Sequence, residues 1–226
     1  MNHNGLIVIF HGLGCTADHY LPLIIYFADK CWRIFTFNNT GVTGSDGESM
    51  RGLTQSVIDL ESALAFVKNS SKFDDLSVML VGHSLGGYAV CTVLNLNQNV
   101  NAVVSFAGFN SSKEIFEEQG ITTLGELFYI LSPQTWAIEK QLFGDRVKLT
   151  AVDGINKAGI PVMIVHSSDD EIIPVRTTSI YAHRNKITNH NVEIIFFEGE
   201  NASGHGGGVL LERRDRVFSM DGRSQF

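Results

Sequence analysis

The chain has 226 residues, of which 44% are hydrophobic and 18% charged, and its formal net charge is -7 at pH 7. A chain of this length and composition can bury a large core in one domain, which excludes a disordered protein. Basic residues cluster only at Arg213 and Arg214, which argues against nucleic acid or an anionic membrane as partner and favours a small neutral or weakly polar ligand.

The cysteines and the N-terminal sequence indicate the cellular compartment. Cys15, Cys31 and Cys91 are scattered and odd in number, and no pair has the spacing of metal ligands. We therefore expect free thiols in a reducing compartment and no metal site. A strand-like run, LIVIF, starts at Leu6, and no basic region followed by a long apolar segment precedes it. We expect no signal peptide, no membrane insertion and a cytoplasmic protein.

Short apolar runs alternate with amphipathic segments along the chain. The runs that predict strands are residues 6–10, 33–37, 76–81, 102–106, 161–166 and 192–197. The clearest helix is predicted at residues 52–68, which carry one apolar stripe: Val57, Leu60, Leu64 and Val67. Residues 85–96 also carry apolar side chains at helical spacing. This alternation predicts a mostly parallel sheet with helices on both faces.

The sequence GHSLG around Ser84 joins the third predicted strand to the helix that follows it. Serine is a common helix N-cap and glycine is common in turns, so a polar cap is one interpretation. The other is a sharp, strained turn, in which flanking glycines avoid the clashes that a Cβ would cause. That turn would project the Ser84 hydroxyl above the sheet as a nucleophile, with the backbone N–H of Leu85 pointing into the same space.

Four of the loops that follow predicted strands carry polar motifs, namely HGLG at 11–14, Ser84, the pair Asp169-Asp170, and GHG at 204–206. In a parallel sheet the loops after the strands meet at one edge, where ligands bind. The chain order of serine, acid and histidine resembles the α/β-hydrolase superfamily, specifically its serine esterases and its lysophospholipase-like or serine-aminopeptidase-like members. The resemblance extends over essentially the whole chain.

The resemblance implies an α/β-hydrolase fold in a single domain over residues 1–226, with a sheet of about six strands. The family's first two strands have no counterpart, which would leave the strand at 33–37 exposed at an edge. Three explanations are open: a minimal domain, a homodimer formed through that edge, or a chain shortened at its N-terminus. A second departure is the stretch FNNTGVTGSDG at 37–47, the expected pocket wall, where Asn38 replaces the usual aspartate and the glycine spacing is shifted.

Acyl transfer needs a base that takes the serine proton during attack, and imidazole has a suitable pKa. His205 is the candidate, because its flanking glycines let the loop bend the ring toward Ser84. Three other histidines are expected to have no catalytic role: His183 and His190 are predicted on the solvated surface and His166 within a strand as a structural residue. The stretch SSDDEIIP resembles the family's segment in which the catalytic carboxylate stands four residues before the proline. This register selects Asp170 over Asp169, which would otherwise be a cap or a solvated carboxylate.

The resemblance also supplies an oxyanion hole, formed by the backbone N–H groups of Leu13 and Leu85. His11, Gly12 and His83 occupy motif positions that shape the loop and the turn, and we include them among the substrate-binding residues. Cys15 lies nearby in the sequence, but no histidine or acid is arranged to serve a thiol nucleophile once His205 serves Ser84.

Residues 110–159 form an insertion between the fourth and fifth predicted strands. Capping patterns at Ser111, Thr123 and Ser132 predict three short helices, with Pro133 in the first turn of one of them. By resemblance they form a lid over the active site, with Phe128 and Trp136 contacting the substrate. The alternative is a helical hairpin that packs on itself.

Together these features predict a serine hydrolase that cleaves small-molecule carboxylic esters through an acyl-enzyme, without a metal or an organic cofactor. Thioesters and small amides suit the same residues. Two other activities stay open: a catalytically weak receptor that binds a small ligand and signals through a partner protein, and a lyase or peroxide-using enzyme on the same scaffold.

Overall fold

The computed structural model describes residues 3–96, 99–199 and 202–206. Within these ranges six parallel strands form one sheet. The strands are β1 (Leu6–Phe10), β2 (Arg33–Thr36), β3 (Val78–His83), β4 (Ala102–Phe106), β5 (Val162–Ser167) and β6 (Val192–Phe197). Their order across the sheet is β2-β1-β3-β4-β5-β6, so β2 lies at an edge as predicted.

Six α-helices connect and cover the strands in the described part of the chain. They are α1 (Leu21–Asp29), α2 (Gln55–Asn69), α3 (Leu85–Thr92), α4 (Ser112–Leu124), α5 (Leu127–Phe143) and α6 (Ala151–Ala158). In the same ranges, none of these helices has both the length and the apolar character that a membrane crossing requires. The alternation of strands and helices confirms the predicted fold class.

The apolar strand sequences follow from burial on both faces of the sheet. Successive side chains of a strand point to opposite faces. In β1, Leu6, Val8 and Phe10 accordingly pack with α2, α3 and α6, whereas Ile7 and Ile9 pack with α1 on the other face. All five residues of β1 are buried, while the edge strands β2 and β6 are half-buried.

Two predicted boundaries differ from the structure at the elements that carry the site. Strand β3 begins at Val78 rather than at 76 and continues through His83, because its last residues pair with β4 up to Phe106. Helix α3 ends at Thr92, and the chain continues as a 3-10 turn over Val93–Leu96. The sheet therefore runs up to the residue before Ser84.

The insertion contains helices of 13, 17 and 8 residues, where three short ones were predicted. The cap predicted at Ser111 is confirmed, since its side chain accepts the backbone N–H of Glu114. The start predicted at Pro133 is wrong, because this residue lies inside α5. Proline has no N–H, so the carbonyl of Tyr129 lacks its usual backbone donor. The Ser132 hydroxyl donates to this carbonyl at 3.5 Å instead, and the helix continues past Pro133.

The third helix of the insertion, α6, packs against α3 and buries Val152 and Ile155 in the core. The pair α4 and α5 packs together, and the cap predicted at Thr123 is not formed because its hydroxyl donates to the carbonyl of Gln119 within α4. Only part of the predicted lid region therefore stands apart from the sheet.

Candidate active site

Ser84 lies on the sharp turn between β3 and α3, with φ 56° and ψ -115°, a conformation that side-chain-bearing residues rarely adopt. Its side chain caps no N–H group of α3, so the capping interpretation is wrong. A Cβ at Gly82 would collide with the backbone of Gly86, and a Cβ at Gly86 would collide with the carbonyl of Phe10. The two glycines therefore permit the strained turn, as the sequence predicted.

His205 and Asp170 form a hydrogen-bonded pair beside this turn. The distances from His205 Nδ1 to the two carboxylate oxygens of Asp170 are 3.0 and 2.9 Å. Because a carboxylate accepts hydrogen bonds, Nδ1 carries the proton and Nε2 is left with a lone pair. This is the tautomer that can take a proton from a serine hydroxyl.

The Asp170 side chain is fully buried, which by itself would raise its pKa. Hydrogen bonds from His166 and His205 and from the backbone N–H of Ile173 outweigh burial and hold the pKa well below its usual range. The carboxylate is therefore ionised at neutral pH and can stabilise a protonated His205.

Asp169 has a different role in the structure. Its Oδ1 accepts hydrogen bonds from the Ser167 hydroxyl at 2.5 Å and from the backbone N–H of Gly204 at 2.8 Å. The Ser167 hydroxyl in turn accepts the backbone N–H of Ser203 at 2.8 Å. Asp169 thus braces the loop that carries His205 and does not contact the imidazole itself.

A chain of buried hydrogen bonds links the two loops beside Ser84. The backbone N–H of Gly12 donates to the Tyr20 hydroxyl at 2.9 Å, and this hydroxyl lies 2.8 Å from His83 Nδ1. His83 Nε2 lies 2.8 Å from the carbonyl oxygen of His205, which can only accept. His83 therefore donates from Nε2 and accepts the Tyr20 proton at Nδ1. Burial lowers the pKa of His83 to about 4, so the ring is neutral.

His11 is held in a similar way on the loop after β1. Its Nδ1 lies 2.9 Å from the carbonyl of Gly12, and its Nε2 accepts the backbone N–H of Asn39 at 3.1 Å. Burial lowers the pKa of this ring. In the described structure His11, Gly12 and His83 are not among the residues that line the cavity, and their contact with a substrate stays a prediction. His11 and His83 hold the neighbouring loops through their rings, and Gly12 does so through its backbone N–H.

A cavity of about 830 Å³ opens over Ser84 and is lined also by His205, Leu13 and Leu85. The N–H of Leu85 belongs to the first turn of α3 and has no acceptor within the helix. Ser84 Oγ and His205 face the same space without a direct hydrogen bond among the described contacts. Such contacts are often long before substrate binds and tighten in the complex.

The cavity walls come from the loop at 50–53, from α4 and α5, and from residues 171–173. Trp136 lines the cavity as predicted, but Phe128 does not: its ring is buried between α4 and α5, where it packs on Gly120. The stretch at 37–47, where the departures from the family pattern left the pocket wall open, does not line this cavity. Asn38 instead accepts the N–H of Ala17 and donates to the carbonyl of Thr43, which ties this segment to its neighbours.

The lining is mostly apolar, with Leu53, Ile115, Phe116 and Ile173 among its members. Glu139 of α5 also lines it, and one of its carboxylate oxygens is buried without a hydrogen-bond partner. Burial raises the pKa of this carboxyl group. In the described residues, no group of three or more histidine, cysteine or acidic side chains is placed to share a metal ion.

Residues 1–141 match the family model described as serine aminopeptidase, S33. The chain belongs to this family of α/β-hydrolases. The matched segment of this hydrolase contains the HGLG loop and Ser84, whereas Asp170 and His205 lie beyond it. No curated protein sequence matches the chain.

Solved structures of several hydrolases are similar to this one. The esterase Pf2001 of Pyrococcus furiosus superposes with a TM-score of 0.68 at 15% identity, covering 96% of this chain and 80% of that one. A monoacylglycerol lipase of Paleococcus ferrophilus gives 0.61 at 18% identity, covering 91% and 87%. Est1E of Butyrivibrio proteoclasticus with bound ferulic acid gives 0.64 at 15% identity, covering 91% and 82%. At these identities the likeness establishes the α/β-hydrolase fold.

Sequence reasoning missed several residues that hold the site. His166 was assigned only a structural role, yet its Nε2 lies 3.2 Å from Asp170 Oδ2. Tyr20 gave no signal, because its partner His83 is 63 positions away in the chain. Ser167 could have been noticed, since a serine directly after an apolar strand stands at the ligand-binding edge of the sheet.

Proposed function

We propose that this hydrolase cleaves carboxylic esters through an acyl-enzyme formed on Ser84, with His205 as base and Asp170 as its orienting acid. One observation carries the proposal. His205 Nδ1 contacts both oxygens of the buried, ionised Asp170, and His205 lines the same cavity as Ser84. A histidine fixed in this tautomer has its basic nitrogen available to a neighbouring hydroxyl.

In the proposed mechanism, Ser84 Oγ attacks the ester carbonyl while His205 Nε2 takes its proton. The backbone N–H groups of Leu13 and Leu85 stabilise the oxyanion, each donor contributing roughly 3 kcal/mol to the transition state. The protonated His205 then donates to the departing alcohol, which leaves Ser84 acylated. Water attacks the acyl-enzyme in the same way, with His205 again taking a proton, and the carboxylic acid is released.

The substrate class follows from the cavity. A volume of about 830 Å³ with mostly apolar walls suits an acyl or alcohol group of several carbons better than an acetyl group alone. The similar structures agree with this choice, since they include the esterase Pf2001 and a monoacylglycerol lipase. We propose small apolar esters as the substrates.

Labelling with a fluorophosphonate, followed by turnover of nitrophenyl esters of increasing chain length, tests the proposal. We expect stoichiometric labelling and ester hydrolysis, both abolished in Ser84→Ala. Labelling without turnover would favour a hydrolase-fold receptor for a small ligand. Absence of labelling in folded protein would contradict the assignment of Ser84 as nucleophile.

A second candidate is the cleavage of small amides that carry a free amino group. It is favoured by the family description, serine aminopeptidase, and by Glu139, an acidic side chain of the cavity lining for which the described residues show no salt bridge. A carboxylate in an apolar cavity is stabilised by a cation. Aminoacyl nitroanilides measured beside nitrophenyl esters distinguish the two candidates. A preference for the nitroanilides that disappears in Glu139→Gln would favour amide cleavage as the function.

A further inference from the structure

His166, in the second-to-last position of β5, makes its closest side-chain contact with Asp170. Its Nε2 lies 3.2 Å from Asp170 Oδ2, and neither side chain has any exposed surface. Nε2 also has hydrogen-bond geometry toward the carbonyl of Ile173, at 3.4 Å. Because both of these partners are acceptors, Nε2 carries the proton.

The two oxygens of Asp170 are held by different kinds of donor. Oδ1 accepts the backbone N–H groups of Ile172 and Ile173, each at 2.9 Å. Oδ2 contacts only side chains in the described structure, namely His166 Nε2 at 3.2 Å and His205 Nδ1 at 2.9 Å. Without His166, Oδ2 would therefore depend on the imidazole that Asp170 has to orient.

Packing alone does not account for a histidine at this position. Its Nδ1 is buried and has no hydrogen-bond partner among the described residues, which is costly for a polar atom. An apolar side chain of similar size would fill the space without that cost. The contact with Asp170 is the interaction that an apolar residue could not supply.

We propose that His166 is a positioning residue for the hydrolytic reaction: its Nε2–H fixes Oδ2 of Asp170 so that both carboxylate oxygens face His205. The inference rests on the proposed function, since it assigns His166 a role in orienting the base of that reaction. His166 touches neither the substrate nor Ser84 in this role. It acts through Asp170.

The test compares two variants of similar size, His166→Gln and His166→Leu, because the glutamine amide can place an N–H near the position of the imidazole Nε2 and leucine cannot. For the most reactive nitrophenyl ester, we expect the leucine variant to lose about 10- to 100-fold in kcat with little change in KM, as befits one hydrogen bond to a charged group. The glutamine variant should keep most of the activity. Substitution of the exposed His190 by leucine is the control and should change nothing.

A second readout does not depend on turnover. The proton between His205 Nδ1 and Asp170 should give a low-field proton NMR resonance, absent in His205→Gln, that persists in the glutamine variant at position 166 and shifts or disappears in the leucine variant. If the leucine variant does not fold, His166→Asn, whose amide is too short to reach Oδ2, replaces it.

An unchanged resonance and unchanged kcat in a folded leucine or asparagine variant would overturn the proposal, as would equal losses in the leucine and glutamine variants. If the wild-type protein shows the resonance but hydrolyses no ester, the proposed function fails, while the NMR comparison still decides whether His166 positions Asp170.

Discussion

At the scale of single residues, Ser84 combines a strained backbone with the position of the proposed nucleophile. A non-glycine residue with φ 56° and ψ -115° typically costs about 1 to 3 kcal/mol, and only the surrounding packing maintains it. The strain holds the hydroxyl above the sheet, so stability and activity make opposite demands on this residue.

We predict that Ser84→Ala folds normally and lowers kcat for ester hydrolysis by roughly 10⁴ to 10⁶, because the proposed nucleophile is lost. Ser84→Gly should be equally inactive but about 1 kcal/mol more stable than the alanine variant, since glycine adopts this conformation without strain. Kinetics and urea unfolding measure the two effects. More than a tenth of wild-type activity in folded Ser84→Ala would refute the first statement.

The two neighbouring acids give a second prediction. Asp170→Asn should cost roughly 10⁴ in kcat, because an amide favours the wrong tautomer of His205. Asp169→Asn should cost about tenfold or less, since the amide oxygen can still accept the N–H of Gly204. Steady-state kinetics of the two variants measure these losses in kcat. A larger loss in Asp169→Asn than in Asp170→Asn would assign the role of catalytic acid to Asp169.

At the scale of elements, α4 and α5 determine the shape of the cavity. Their inner faces contribute Ile115, Phe116 and Trp136 to its lining. Their outer faces leave other large apolar side chains exposed, among them Leu127, Ile130 and Leu142. Only part of the apolar surface of this pair therefore faces the cavity.

We predict that kcat/KM rises about three- to fourfold for each carbon added to the acyl chain until the cavity is filled, because each buried methylene contributes roughly 0.8 kcal/mol. Trp136→Ala should reduce the rise for longer chains and leave acetyl esters nearly unaffected. Nitrophenyl esters from acetate upward provide the series, and Tyr129→Ala, at an exposed position of the same helix, is the control. A flat profile in the wild-type protein would show that α4 and α5 do not line the acyl site.

At the scale of the whole molecule, the stability of the fold is coupled to the protonation of the site. His83 connects the loop after β1 to the loop that carries His205, and burial is the main cause that lowers its pKa from 6.5 to about 4. Asp170 also has a lowered pKa, so its contribution is lost only below pH 3.8. The two groups thus act in separate pH windows.

We predict that the free energy of unfolding falls by roughly 3 kcal/mol as the pH decreases from 6.5 to 4. The unfolded chain binds a proton at His83 in this window and the folded protein does not, so acid favours unfolding. Urea unfolding at several pH values across the window measures the slope. His83→Gln should make the slope shallower but leave the part due to His11, whose pKa burial also lowers, and an equally steep slope in that variant would assign the effect to another group.

The sequence alone was sufficient for features that depend on neighbouring residues. The glycines at 82 and 86 permit the strained turn because the clashes they avoid involve residues brought together by a single strand-to-helix connection. The apolar runs predicted the parallel sheet, and the placement of Ser84, Asp170 and His205 after different strands predicted that they meet at one edge. The order of parallel strands then brings such loops together whatever the details of packing.

The tertiary structure alone decided which distant groups touch. The contact of Tyr20 with His83, the seating of Phe128 between α4 and α5, and the wall at 50–53 join elements far apart in the chain. The contact of His166 with Asp170 spans only four residues, but it depends on how the turn after β5 folds back. Periodicity and local sterics fix the conformation of one element at a time, whereas these contacts follow from how the elements pack against one another, and that is set by the sum of many weak interactions over the whole core.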